Sequence, residues 1–160
     1  MRFIIGFLLL LSSLYAQPFT EVRYSDAFDK NITLQGDIEF FEYGVSIKYN
    51  DTNKSIFYDD GDLTLYENEK ALPLEPMQAE QMGAFFDILL LLHSNNSRLI
   101  DENFVQEEKK EYTILIPKGE MQDYLQKIKL QRHKGRLSFI KLFLKNSDTI
   151  TIKIGNEKTP

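Results

Sequence analysis

Apolar residues recur at every second position through most of this chain, and no other feature of the sequence restricts its fold as strongly. Ile38 and Phe40 flank Glu39, and Val45, Ile47 and Tyr49 alternate with Ser46 and Lys48. Ile56 and Tyr58 flank Phe57, and Leu63 and Leu65 flank Thr64. The pattern resumes in Tyr112, Ile114 and Ile116, in Ile128 and Leu130, in Ile140, Leu142 and Leu144, and in Ile150, Ile152 and Ile154. A period of two puts alternate side chains on one side of an extended chain, so each run predicts a strand with one apolar face. Gly36, Gly44, Asp60-Gly61, Lys134-Gly135 and Asn146-Ser147-Asp148 fall between the runs, where turns call for residues tolerant of positive φ. Connections this short leave no room for crossover helices, and the expected sheet is an antiparallel meander.

One interval breaks the alternation. In PMQAEQMGAFFDILLLL, from Pro76 to Leu92, the residues Met82, Phe85, Phe86, Leu89 and Leu92 recur at helical spacing, and Ile88, Leu90 and Leu91 add apolar surface on further sides. Proline at the start and the Ser94-Asn95-Asn96-Ser97 cluster afterwards define the ends of a helix. A helix apolar on so many sides has to be covered over most of its circumference. It reads either as a core helix packed on the sheet or as a lid that faces a ligand.

The chain opens MRFIIGFLLLLSSLYAQPF. One arginine, an apolar run from Phe3 to Leu11, and a short polar region ending in the small Ala16 are the three parts of a secretory signal peptide. The run is too short to span a bilayer stably. The reading is a signal peptide over residues 1–16 and a single domain over residues 17–160, with export to the periplasm. Cysteine is absent, which excludes disulfides, thiolate metal sites and a lipid-modified cysteine at the mature N-terminus. The formal net charge is −5, and loss of Arg2 makes it more negative. Nucleic acid and anionic membrane surfaces reward a basic field, so neither is the expected main partner.

Catalytic signals are missing. His93 and His133, the only histidines, stand at a predicted helix end and in a hairpin, outside any metal-ligand or catalytic spacing. No nucleophile elbow, phosphate-cradling glycine loop or helical metalloprotease motif occurs. The expectation is a non-enzymatic protein with neither cofactor nor metal. Asp59, Asp60 and Asp62 lack the alternating oxygen ligands and terminal glutamate of a calcium loop; Asp60-Gly61 is a hairpin turn instead. The mixed run Glu107 to Glu111 reads as a solvated loop leading into the strand at Tyr112. Asp29-Lys30-Asn31-Ile32-Thr33 and Asp51-Thr52-Asn53-Lys54-Ser55 match the extended acceptor sequence of some bacterial N-glycosylation systems, and they equally suit polar turns between strands.

The stretch GDIEFFEYGVSIKYNDTNKSIFYDDGDLTLYENEKALPL, Gly36 to Leu74, resembles the core of the LolA-like periplasmic lipoprotein carriers. In that family a strand opening with glycine leads to a basic-aromatic pair, here Lys48-Tyr49, then an aspartate-glycine turn, here Asp60-Gly61, and a strand ending in tyrosine, here Leu63 to Tyr66. The resemblance continues through a helix over the sheet, the strand TILIP from Thr113 to Pro117, the hairpin KIKLQRHKGRLSFIKLFLKN, and DTITIKI from Asp148 to Ile154. It implies a mainly β protein with helices (α+β): a curved antiparallel sheet forming an unclosed β-barrel with a helix lid. It further implies a carrier that shelters the acyl chains of lipoproteins between the inner and outer membranes. Its partners would be an acylated lipoprotein or other lipid, a transient inner-membrane releasing complex and an outer-membrane acceptor. Under that reading Ile38, Phe40, Ile47, Tyr49, Leu63 and Leu65 line the cavity, and Met82, Phe85, Phe86 and Leu89 form the lid. Two departures from the family stand out. Little chain is left for its long N-terminal helix before FTEVRY, and Glu42-Tyr43 replaces the arginine-proline pair whose arginine helps hold the lid closed. The alternative is a periplasmic lipid-binding or protein-interaction module of the same fold with a different cargo.

Overall fold

The computed structural model describes residues 16–155. The stretch 1–15, which carries the export reading, and residues 156–160 lie outside the described residues. The first half contributes β1 (Gln17–Ser25), β2 (Lys30–Phe40), β3 (Gly44–Tyr49), β4 (Lys54–Asp59), β5 (Asp62–Glu67) and β6 (Lys70–Leu72). Two helices follow, α1 (Pro76–Ser94) and α2 (Ser97–Asn103). The second half supplies β7 (Phe104–Glu108), β8 (Thr113–Pro117), a 3-10 turn at Gly119–Asp123, β9 (Leu125–His133), β10 (Arg136–Leu144) and β11 (Thr149–Ile154).

All eleven strands join one antiparallel sheet in the order β6-β5-β4-β3-β2-β1-β11-β10-β9-β8-β7. The chain walks outward from β1 to β6, crosses the sheet through the two helices, and walks inward from β7 until β11 pairs with β1. The sheet curls without closing, so β6 and β7 remain edges and the protein is an α+β fold built on a curved sheet. Three hairpins turn in two residues: Asp60-Gly61, Asn68-Glu69 and Lys134-Gly135. Both central residues of each have positive φ, the condition for turns that match the right-handed twist of the strands.

The register puts one apolar side chain after another on the same face. Ile38 opposes Ile47, which opposes Ile56, which opposes Leu65; on the other side Leu130 opposes Ile140, which opposes Ile152. With Leu65 partly buried at its edge, these residues form one apolar cluster with α1, which lies across that face and contacts β3, β5 and β10. At roughly 25 cal/mol per Å² of apolar area removed from water, this shared face is the main source of stability.

Several sequence expectations change in three dimensions. Gly36 lies inside β2 and Gly44 opens β3, neither at positive φ. A Cβ on Gly36 would collide with the Lys48 carbonyl oxygen and stand 3.0 Å from the Phe19 ring, and one on Gly44 would collide with the Tyr58 carbonyl oxygen. Glycine is there to let strands approach. Gly36→Ala is expected to cost about 1–3 kcal/mol by overpacking, read as a lowered urea midpoint with an unchanged slope. In β8 the covered residue is Leu115, whereas Ile114 and Ile116 face the other way. Tyr112 precedes that strand, and Glu107 and Glu108 belong to the edge strand β7 rather than to a loop. The polar cluster after α1 both ends that helix, through Asn95 in the left-handed conformation, and starts α2, because the Asn96 side chain accepts from the Leu99 N–H at 3.2 Å. A seven-residue helix shows too little periodicity to be read from sequence.

Candidate functional site

Helix α1 starts at Pro76, whose missing N–H costs nothing in the first turn. Four contacts fix it to the sheet. The Tyr58 hydroxyl donates to the Asp87 carboxylate, and the Tyr58 ring stacks on Phe86 with centroids 5.4 Å apart. Phe86 also meets Phe85 edge-on at 5.3 Å. At the C-terminal end His93 stacks on Phe40, with centroids 3.7 Å apart and planes 3° from parallel, and Arg132 Nη2 donates to the Leu92 carbonyl at 2.6 Å. The tie from an arginine to this helix therefore comes from β9, and not from the position where Glu42-Tyr43 stands.

All ten residues expected at the lipid site lie on the covered face or on α1. Ile38, Ile47, Tyr49, Phe86 and Leu89 are buried; Phe40, Leu63, Leu65, Met82 and Phe85 are partly buried and packed against them. Helix and sheet fill this region together, so a ligand entering it would have to displace α1. No helix among the described residues is long and apolar enough to cross a membrane.

An open cavity of about 680 Å³ lies elsewhere on the curled sheet, where the β1–β2 hairpin meets the β10–β11 turn. Its walls include Arg23, Phe28, Ile32, Leu144 and Ile150. Arg23, Ile32 and Ile150 oppose one another in adjacent strands, on the same face that α1 covers further along. Phe28, at the hairpin tip, is 82% exposed and Ile32 is 51% exposed. The hairpin is tethered by the Asp26 N–H, which donates to Asp148 Oδ1 at 2.8 Å. None of these wall residues is assigned to the lipid site by the sequence, although Leu144 and Ile150 belong to its alternating runs. Ile32 and Leu34 do alternate, but the cavity is assembled from four strands and has no linear signature.

One polar group interrupts the covered face. Glu21, 2% exposed, accepts from the Tyr49 hydroxyl at 3.0 Å and from Arg23 Nε. Burial by itself would lower the Arg23 pKa; the Glu21 charge and hydrogen bond outweigh it and leave the guanidinium above its ordinary value. The Tyr49 hydroxyl is pushed up by burial and by the Glu21 charge, and stays protonated at neutral pH. A second cavity of about 360 Å³, polar and bordered by Arg132, Tyr112 and Lys109, lies near the start of α2.

His93 links helix packing to pH. Burial, and then the Arg132 charge, lower its pKa from 6.5. A base whose folded pKa is depressed binds protons more readily when unfolded, so its contribution is intact above about pH 6.5 and is lost as pH falls below that value. Urea midpoints at pH 7.5 and pH 5.5 are expected to fall further in the wild type than in His93→Asn; equal falls would remove His93 from the account.

No protein-family model matches this chain, and no curated protein matches it.

Proposed function

We propose that this protein is a non-enzymatic periplasmic carrier that binds the acyl chains of lipoproteins, or of another lipid, and moves them from the inner to the outer membrane. The observation that carries the reading is the open cavity of about 680 Å³ on the same sheet face as the buried apolar cluster. Its size falls within the roughly 300–1,000 Å³ typical of small-molecule sites. An acyl chain leaving water for such a surface is stabilised by about 0.8 kcal/mol per buried methylene. The apolar face is covered by a helix instead of a second sheet, and a helix held at a few points can shift more readily than a paired strand. Phe85, Phe86 and Leu89 would then exchange sheet contacts for acyl contacts, with Met82 repacking beside them. Handover calls for transient docking to a releasing complex at the inner membrane and to an acceptor at the outer membrane.

The test is mass spectrometry of organic extracts of the protein purified from its native host. Stoichiometric acylated material is expected. Lipid-free protein that also fails to bind fluorescent fatty-acyl probes would leave the alternative, an interaction module of the same fold.

A further inference from the structure

Strand β2 is longer than its neighbour β3, and the mismatch leaves a stretch of unpaired edge inside the sheet. Residues 30–38 of β2 pair with β1, but β3 covers β2 only from Gly36 to Phe40. Asn50, just past β3, closes the paired part by donating its N–H to the Gln35 carbonyl at 2.9 Å. Because an antiparallel ladder points alternate residues to opposite sides, Gln35, Thr33 and Asn31 face away from β1. No described strand pairs with Lys30–Leu34 on that side.

Natural sheets protect their edges with short strands or charged side chains. The other two edges follow that rule: β6 has three residues and includes Lys70, and β7 ends in Glu107 and Glu108. The free part of β2 reads Asn31-Ile32-Thr33-Leu34, with no charge beyond Lys30 and with Ile32 half exposed into the cavity.

We propose that this edge binds a cargo lipoprotein by strand addition: the peptide next to the acylated N-terminus pairs with Asn31–Leu34 while its acyl chain enters the cavity bordered by Ile32, Phe28 and Ile150. The inference rests on the carrier reading and assigns to the peptide a site separate from that of the acyl chain. The notch favours a chain end as its occupant. The Asn50–Asn53 turn bounds it on one side, and a second copy pairing through its own β2 would run its Asp26–Asp29 hairpin into that turn. A peptide beginning in the notch has no such continuation, and backbone pairing tolerates the varied sequences of different cargoes.

Thr33→Pro provides the test, because proline removes only the outward N–H and leaves the β1 ladder intact. With a fluorescent N-palmitoyl peptide of alternating Ser and Val, the variant is expected to lose about tenfold in affinity. Its affinity for a fluorescent fatty acid of the same chain length should stay unchanged. In the wild type, bound lipopeptide should slow hydrogen exchange at the Thr33 amide. If the variant is poorly folded by circular dichroism, the wild type is titrated instead with the peptide N-methylated at alternate residues; one of the two registers should weaken binding to the same degree. Equal lipopeptide affinity in Thr33→Pro, or no effect of N-methylation in either register, overturns strand addition while leaving the carrier reading intact. A concentration-dependent dimer abolished by Thr33→Pro would assign the edge to self-association and also overturn it. Failure of the wild type to bind both the fatty acid and the lipopeptide defeats the carrier reading, and this inference with it.

Discussion

Phe86→Ala is expected to destabilise the free protein by about 3–5 kcal/mol, the cost of deleting a buried aromatic ring. Phe86 is 2% exposed and holds α1 to the sheet through its stack on Tyr58, with Phe85 of the same helix edge-on beside it. Removing it leaves a void at the centre of the helix–sheet contact and loosens the Tyr58–Asp87 hydrogen bond beside it. If α1 is the lid of a lipid site, the same void lowers the cost of lifting the helix. Fluorescent fatty-acyl affinity, corrected for the folded fraction, should then rise severalfold. Urea denaturation and acyl binding on one preparation separate the two roles. A large stability loss with unaltered affinity per folded molecule would make α1 purely structural. The binding energy would then have to come from the open cavity alone.

How much of this could be read from the residues follows from what periodicity encodes. Alternation in Val45-Ile47-Tyr49 or Ile150-Ile152-Ile154 fixes which side chains share a face, and the register confirms those groupings. It says nothing about which face a helix will cover, and in β8 the alternating isoleucines turned outward while Leu115 became core. Helix α1 was legible because it is 19 residues long, enough for its apolar positions to repeat; α2 has seven. Gly36 looked like a turn because the need for close strand approach leaves the same glycine in the sequence as a need for positive φ. The cavity and the free edge of β2 were out of reach for a different reason. Each arises from a mismatch between elements, in strand length or in helix coverage, and such a mismatch exists only once the strands have been paired.

Glu21→Leu is the second substitution with a large expected effect, about 3 kcal/mol of lost stability. The carboxylate sits in a row of the covered face between Leu34 and Ile152, where a leucine would satisfy the apolar pattern. The loss arises from the groups left behind. The Tyr49 hydroxyl, on a residue 8% exposed, loses its acceptor, and the Arg23 guanidinium loses its counter-charge. The Arg23 side chain keeps about half of its surface in water, which limits the penalty to the lower part of the roughly 3–5 kcal/mol seen when one member of a buried pair is removed. Glu21→Gln keeps one acceptor oxygen, which can stay on Arg23 Nε while its amide N–H donates to the Tyr49 hydroxyl oxygen, and should cost about half as much. Replacing both members, Glu21→Leu with Arg23→Leu, removes the stranded charge and should recover the part of the loss that comes from Arg23, since apolar residues of similar volume often equal or exceed a buried ion pair, while the Tyr49 hydroxyl still lacks its acceptor. The double substitution also extends the apolar wall of the cavity beside Ile32 and Ile150, so acyl affinity should rise as stability returns. A thermodynamic cycle over the four proteins measures the coupling directly. A coupling close to zero would mean that Glu21 acts through Tyr49 alone, and Arg23 would then be free to meet the head of whatever occupies the cavity.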